Sequence, residues 1–184
     1  MTSKIKVNIL ADGADNSIIT SDGAGSFTAS SSLASSVQSV GGINNTPSFF
    51  AFKNDSNQTF TQDVWSKITF NNEVYDTDGT YASSTFTPGV AGKYFLGASV
   101  RMVDNSSQST NVISIYKNGA ETASFIMIAA NSSNRNIGAS IDVILESDAD
   151  DYFEVYMNSD DSSPTVRSSS IAESYFYGYK LIGA

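Results

Sequence analysis

The sequence contains no cysteine and no histidine among its 184 residues. Without cysteine, the protein cannot form disulfide bonds or metal sites built on thiolates. Without histidine, it cannot contain a Ser-His-Asp triad, a zinc site of the usual kind or a histidine proton shuttle. We therefore expect that the protein is not an enzyme, because it lacks the side chain that most often acts as the catalytic base.

Long apolar runs and clustered basic residues are missing as well. No apolar stretch approaches the ~18 residues that a membrane-spanning helix requires. No basic segment followed by an apolar one opens the chain, so no cleavable secretory signal is visible. The net charge is −9 and the ten basic residues stand singly, which argues against nucleic acid or an anionic membrane as a partner. We expect a protein that stays in the cytoplasm or leaves the cell inside a virion.

From residue 47 onward, the sequence consists of short apolar or alternating segments separated by turn residues. The predicted strands are Ser48–Lys53, Thr59–Phe60, Lys67–Tyr75, Gly92–Val103, Asn111–Tyr116, Thr122–Ala130, Ile137–Leu145, Tyr152–Met157 and Ser174–Ile182. Asn118-Gly119 predicts a hairpin turn of type I′. Because no helical period lies between these short strands, we predict an all-β jelly-roll sandwich.

The stretch from Tyr81 to Leu96 organises this part of the chain. It predicts a loop that leads to a strand edge at Phe86, a tight turn across Pro88-Gly89, and a buried strand that begins at Tyr94. Proline fixes its own φ and disfavours a helical conformation in the residue before it, while glycine permits the positive φ that a compact turn needs.

The same stretch carries a resemblance to a known family. Six residues in and around it match the signature of the C1q-type globular head: Phe70, Asp76, Tyr81, Phe86, Gly92 and Tyr94. The resemblance extends outward to the aromatic segments at residues 47–52 and 174–179. It implies a C1q/TNF-like jelly-roll knob over residues 46–184, preceded by an anchor and neck over residues 1–45.

The resemblance also implies a homotrimer. In the family, aromatic faces of the terminal and early strands line the threefold axis. The residues that this assigns to the trimer interface are Phe50, Phe52, Tyr94, Tyr175, Tyr177 and Tyr179. The last three alternate along one strand and therefore share a face. An alternative for these tyrosines is a partly exposed surface ladder.

The N-terminal segment predicts two short strands separated by Asp-Gly turn signals. The apolar residues of these strands are Ile5, Val7, Ile9, Ile18 and Ile19. Two such strands bury too little surface to be stable alone, so we expect them to dock on another chain. The segment resembles the short anchoring regions of phage virion proteins, and we predict that these residues form a particle anchor.

The serine-rich segment between Gly23 and Phe52 contains no charged residue. Leu33, Val37 and Val40 follow a helical spacing and predict a neck helix of about two turns. So short a helix would be stable only when packed against other helices, such as symmetric copies of itself. The alternative is a flexible linker, which the serine content equally suits.

The acidic loop at residues 146–151 is the one candidate for a cation site. Asp148, Asp150 and Asp151 could supply oxygen ligands to Ca²⁺. Some C1q-type heads bind Ca²⁺ near their apex, so the resemblance supports this interpretation. The alternative is a solvated acidic turn, because the loop meets no known calcium motif. We expect no other cofactor.

These features together predict a phage virion structural protein. Its trimeric knob would project from the particle, as a capsid decoration or as a fibre tip that attaches to a host glycan or protein. It would be made in the host cytoplasm and join other virion proteins through its N-terminal segment. The alternative is a secreted C1q-type recognition head, but neither a signal peptide nor a Gly-X-Y stalk is visible.

Overall fold

A computed structural model of the protein describes residues 9–11, 13–14, 17–21, 24, 27–30, 45–103, 109–129 and 137–182. The chain divides into two compact units, Met1–Asn44 and Asn45–Ile182. Every element assigned within the described residues is a β-strand. Within them, no helix is both long and apolar enough to span a membrane.

The first unit contains a three-stranded antiparallel sheet. Its strands are β1 (Ile9–Ala11), β2 (Ser17–Ser21) and β3 (Phe27–Ala29), in the order β1-β2-β3. Ile9, Ile18 and Ile19 thus lie in strands, as predicted, and Ile9 is exposed. β3 was not predicted, because its three residues lie within the serine-rich segment that was assigned to the neck. Ile5 and Val7 of the anchor, and Leu33, Val37 and Val40 of the neck helix, lie outside the described residues.

The second unit is a sandwich of two main sheets. Its strands are β4 (Ser48–Phe52), β5 (Gln58–Thr59), β6 (Ser66–Lys67), β7 (Asn72–Asp76), β8 (Tyr81–Ala82), β9 (Thr85–Phe86), β10 (Gly92–Arg101), β11 (Ser109–Lys117), β12 (Ala120–Ala129), β13 (Gly138–Ser147), β14 (Phe153–Ser159), β15 (Thr165–Val166) and β16 (Tyr175–Lys180). One sheet has the order β13-β10-β16-β4-β7. The other has the order β12-β11-β14-β9-β8, with β6 paired to β14. All pairs are antiparallel, and the predicted jelly roll is confirmed.

The core lies between the two sheets and follows from the alternation along each strand. In β10 the buried side chains are Tyr94, Leu96, Ala98 and Val100, while Phe95 faces the other way. Phe49 is the centre of an aromatic cluster there, with ring centroids 4.7 Å from Tyr81, 4.5 Å from Phe86 and 4.8 Å from Phe176. Burying side chains of this size contributes roughly 2–3 kcal/mol each.

Two turns predicted from glycine positions are confirmed. Asn118 and Gly119 have φ values of 54° and 78°, as a type I′ hairpin between β11 and β12 requires. Gly89, after Pro88, has a φ of 70°. Any residue other than glycine would strain the backbone at that position.

The predicted strand Lys67–Tyr75 is interrupted. β6 ends at Lys67 and β7 begins at Asn72. Between them the backbone amide of Thr69 donates to the Gln58 side chain, and that of Phe70 donates to Ser84 Oγ. Because these amides bond to side chains rather than to a neighbouring strand, the ladder cannot continue through this segment.

The loop predicted before Phe86 is instead a tight hairpin between β8 and β9. Its two turn residues are Ser83 and Ser84, with φ values of 51° and 61°. Serine is uncommon in this conformation, and glycine or asparagine is the usual residue at such turn positions. The buried hydroxyl of Ser84 bonds to Phe70 N at 2.9 Å, which explains its place in the turn.

Candidate functional site

The outer face of the five-stranded sheet carries five aromatic side chains on adjacent strands. We call this surface the aromatic face, and its members are Phe50, Phe95, Tyr175, Tyr177 and Tyr179. Backbone register places Tyr177 opposite Phe50 on one side, and Tyr179 opposite Phe95 on the other. Their neighbours in sequence, such as Phe176, point into the core.

The rings of the aromatic face form one continuous cluster. Phe95 stacks on Tyr179 with centroids 5.4 Å apart and an interplanar angle of 21°. Phe50 lies 5.7 Å from Tyr175 and 6.5 Å from Tyr177. Phe95 is also 6.0 Å from Tyr177, which joins the two halves. Aromatic pairs at these separations attract one another beyond the area they bury.

A glycine in the central strand β10 makes room for the middle ring. Gly97 is paired in register with both Tyr177 and Asp142. A Cβ atom at Gly97 would overlap with the Tyr177 ring and with Asp142 Oδ1. Without it, Tyr177 lies across β10, and its hydroxyl donates a 2.9 Å hydrogen bond to Asp142 Oδ1 on β13.

This arrangement fixes the protonation state of Tyr177. Burial raises the pKa of its phenol well above 10, and the hydrogen bond to the Asp142 carboxylate raises it further. The phenol therefore stays protonated in alkaline solution, where an ordinary tyrosine would ionise. The ring presents an apolar body to its surroundings while its polar tip is satisfied within the chain.

Apolar side chains extend the aromatic face to both edges of the sheet. Tyr75 on β7 pairs in register with Phe50 and is 47% exposed. Ile144 on β13 pairs with Phe95 and is 56% exposed. These residues place apolar side chains on all five strands of the sheet, and contiguous apolar patches mark interaction sites more often than scattered apolar residues do.

Four of the six residues predicted for this interface lie together in the aromatic face: Phe50, Tyr175, Tyr177 and Tyr179. The prediction for Tyr94 is wrong, because its side chain is fully buried in the core and its hydroxyl donates to Val90 O at 2.7 Å. Phe52 is only 9% exposed, so it can contribute little surface to another chain. Phe95 was missed because an alternating strand offers both Tyr94 and Phe95 and does not say which one faces inward.

The acidic loop has a different geometry from the predicted calcium site. Asp151 is buried, and its carboxylate accepts hydrogen bonds from Asn118 Nδ2 and from Asp148 N (2.6 Å) and pairs with Lys117 Nζ at 2.7 Å. The Lys117 contact, the Asp148 amide and Asn118 lower the pKa of Asp151 to about 2. Asp151 therefore ties this loop to the hairpin between β11 and β12.

The three carboxylates of the loop do not converge. Asp148 and Asp150 are exposed, whereas Asp151 is committed to Lys117 and Asn118. Across the ranges that the structure describes, no group of three or more His, Cys, Asp or Glu side chains is placed to hold a metal ion. A preformed cluster of the three carboxylates is therefore not what the structure contains, and calcium binding by this loop stays a prediction.

Comparison with known proteins places the fold in a family. The model of the C1q domain matches residues 49–181. The chain belongs to the C1q domain family. No curated protein matches it as a relative.

Solved structures agree with this assignment at the level of the C1q/TNF fold. The Eiger TNF of S. frugiperda superposes with a TM-score of 0.55 at 10% identity, over 74% of this chain and 93% of that one. The globular domain of zebrafish complement 1qA gives 0.52 at 16% identity, over 73% and 96%. Murine APRIL gives 0.52 at 12% identity, over 73% and 98%.

Proposed function

We propose that the protein is a homotrimeric, non-catalytic binding module whose copies associate through the aromatic face. The observation that carries this proposal is the continuous cluster of five rings on the outside of a sheet whose other side is already filled by the core. Tyrosine suits such an interface because it is large, apolar in its body and able to form hydrogen bonds at its tip. A trimer is also what the resemblance to the C1q family implies.

A closed trimer requires two different surfaces on each copy, because head-to-tail contacts close into a ring only when unlike patches meet. The second surface that we propose is the edge formed by β12 and β13, the end strands of the two sheets. Phe125 and Ile126 on β12 are 48% and 59% exposed. The edge of one copy would cover the aromatic face of the next.

Sedimentation equilibrium of the purified chain tests this proposal. We expect three times the monomer mass of 19.6 kDa at micromolar concentration. Phe50→Lys places a charge in the aromatic face and should yield monomers, because an unpaired charge is costly to bury. Val64→Lys changes an exposed apolar residue outside that face and should leave the trimer intact. A monomeric wild-type protein would overturn the proposal.

We further propose that the trimer is the projecting knob of a virus particle, held by the first unit, in capsid decoration or in attachment to a host glycan or protein. The small sheet β1–β3 supports this role, because it leaves Ile9 and Leu10 exposed and three short strands bury little surface by themselves. A chain that begins at Asn45 should fold and trimerise but should not attach to particles that lack the full-length protein. Attachment of that shortened chain would place the anchor in the knob instead.

The family match favours a second candidate equally, a secreted C1q-type recognition head. The two candidates differ in where the protein is found. A virion protein would be present in purified particles at a fixed copy number, visible by imaging and by protein mass analysis. A secreted head would be in the culture fluid and absent from particles.

A further inference from the structure

A second aromatic cluster lies on the other sheet, away from the aromatic face. It consists of Trp65, which precedes β6, Tyr116 on β11 and Tyr156 on β14. Trp65 is the only tryptophan of the chain and is 37% exposed. Tyr116 and Tyr156 are half-buried and alternate with the core residues Ile115 and Val155, so they lie on the outer surface.

The three rings form a corner rather than a flat stack. Tyr116 and Tyr156 stack with centroids 4.2 Å apart and an interplanar angle of 28°. Trp65 lies 5.7 Å from Tyr116 and is inclined to it by 57°. Two ring faces at such an angle can contact one small group from two sides. Tyr116 and Tyr156 project from adjacent paired strands, and the Tyr156 ring covers one face of the Tyr116 ring.

Carboxylates flank the corner on both sides. In register, Tyr116 lies opposite Glu121 of β12 and Glu154 of β14. Glu154 forms an ion pair with Lys67 at 2.7 Å and accepts a 3.3 Å hydrogen bond from the Tyr156 hydroxyl. Glu121 is exposed and forms no ion pair within the described part of the chain. The site therefore carries one uncompensated negative charge beside the rings.

We propose that the corner of Trp65 and Tyr116 binds an organic cation that carries a methylated ammonium group. The faces of aromatic rings are electronegative and attract cations, and tryptophan does so most strongly. A quaternary ammonium is weakly hydrated, so it loses little on leaving water. Glu121 adds Coulombic attraction, which a neutral apolar ligand of the same shape would not feel.

This site goes beyond the proposed trimer and does not depend on it. The corner lies on the outer surface of the six-stranded sheet, whereas the aromatic face lies on the five-stranded sheet. The rings of the corner lie outside β12 and β13, the strands proposed to contact a neighbouring copy. Glu121 is on β12 but is not among the side chains proposed for that contact. Loss of the trimer would therefore leave cation binding measurable, and the two proposals can fail separately.

Choline is the probe, because its neutral isostere 3,3-dimethyl-1-butanol has the same shape without the charge. Trp65 fluorescence of the full chain reports binding directly, since no other tryptophan contributes to the signal. We expect a saturable change at millimolar choline, and an affinity for the neutral alcohol at least ~10-fold lower. Equal responses to both compounds, or no saturation up to about 100 mM choline, would overturn the proposal.

Variants separate ring binding from a general surface effect, with choline binding followed by NMR of its methyl signal. Tyr116→Ala should weaken binding by ~10-fold or more, whereas Tyr116→Phe keeps the ring and should bind within about twofold of wild type. Glu121→Gln should weaken binding several-fold and reduce its salt dependence. Ile171→Ala removes an exposed apolar side chain that belongs to neither aromatic cluster, so it is the control and should bind as wild type does. Wild-type affinity in a folded Tyr116→Ala protein would refute the assignment.

Discussion

The hydroxyl of Tyr177 donates a 2.9 Å hydrogen bond to Asp142 Oδ1 across the backbone of Gly97. Tyr177 lies on β16 and Asp142 on β13, so the bond spans the strand β10 between them. The glycine is what permits it, because any Cβ atom there would occupy the space of the Tyr177 ring. The position of the central ring of the aromatic face therefore depends on a residue that has no side chain.

Gly97→Ala tests this dependence. The added methyl group should displace the Tyr177 ring and break its bond to Asp142, while the core on the other side of the sheet is untouched. We expect this variant to weaken the proposed trimer, so that the concentration below which it dissociates rises by ~10-fold or more. The reason is that a distorted aromatic contact typically costs at least ~1 kcal/mol of association free energy. Sedimentation velocity over a concentration series measures this effect.

The matched control is Gly138→Ala on the neighbouring strand β13. Among the residues that the structure describes, a Cβ atom at Gly138 would contact only Val100 O, at the ordinary distance of 3.4 Å. This variant should associate as wild type does. Equal association of the two variants would show that the position of the Tyr177 ring does not matter for assembly.

The hairpin between β8 and β9 predicts that glycine substitutions at its two adjacent serines change the stability of the fold in opposite directions. Ser83 is exposed, so Ser83→Gly should relieve its positive φ and stabilise the fold by up to about 1 kcal/mol. Ser84→Gly also relieves a positive φ but leaves the buried amide of Phe70 without its 2.9 Å acceptor. That loss costs about 1–3 kcal/mol, so this variant should be less stable. Urea unfolding of both variants gives the comparison, and stabilisation by Ser84→Gly would contradict it.

The buried phenol of Tyr94 predicts a loss of stability in alkaline solution. Burial, with a smaller effect from the charge of Asp78, raises the pKa of Tyr94 to about 12 from its ordinary 10.0. Its contribution is therefore complete below pH 10, where the unfolded chain is also protonated, and is lost as the pH rises from 10 towards 12. Tyr94→Phe should be less stable at pH 7 by about 1 kcal/mol, because it lacks the bond to Val90 O.

Between pH 10 and 12 the free energy of unfolding should fall less steeply for Tyr94→Phe than for wild type, so the difference between them narrows. Urea unfolding at pH 7, 10 and 12 measures both curves. Parallel curves would show that Tyr94 ionises in the folded protein as easily as in the unfolded chain.

The fold was predictable from the sequence because its signals are local and repeated. Alternation and turn residues placed eight of the nine predicted strands with ends that differ from the structure by no more than two residues. The Asn118-Gly119 turn followed from backbone sterics alone. The interrupted strand after Lys67 was not predictable, because the groups that end it, Gln58 and Ser84, are distant in sequence.

The site was predictable only in part, for the same physical reason. A strand with Tyr94 next to Phe95 contains an aromatic residue for each face, and only the packing of the other sheet decides which one is buried. The role of Gly97 in making room for the Tyr177 ring could not be predicted, because it depends on the register of β10 against both β13 and β16. In the acidic loop, the partners of Asp151 lie on a separate hairpin, so the sequence left a candidate cation site and a solvated acidic turn as alternatives.

The contacts of Asp151 predict a structural role that can be measured against calcium binding. Asp151→Asn removes the ion pair with Lys117 and should lower the free energy of unfolding at pH 7 by about 1–3 kcal/mol. Asp150→Asn, an exposed neighbour, is the control and should have little effect. Because the pKa of Asp151 is lowered from 3.8 to about 2, its contribution is complete above pH 3.8 and is lost as the pH falls towards 2. Wild type and Asp151→Asn should therefore converge in stability near pH 2, as measured by urea unfolding.

Calcium distinguishes the two interpretations of this loop. If Asp151 serves only to hold the loop against the β11–β12 hairpin, thermal melting of the wild type should be the same in EDTA and in millimolar Ca²⁺. A cation bound only by the native state, at ~100 times its Kd, would instead stabilise the fold by about 2.7 kcal/mol and raise the melting temperature by several degrees. Such a rise, abolished by Asp148→Asn together with Asp150→Asn, would show that the loop rearranges to bind calcium. If Asp151→Asn loses the same free energy of unfolding in EDTA and in Ca²⁺, the Asp151 carboxylate stabilises the fold through its ion pair with Lys117 and not through a bound cation.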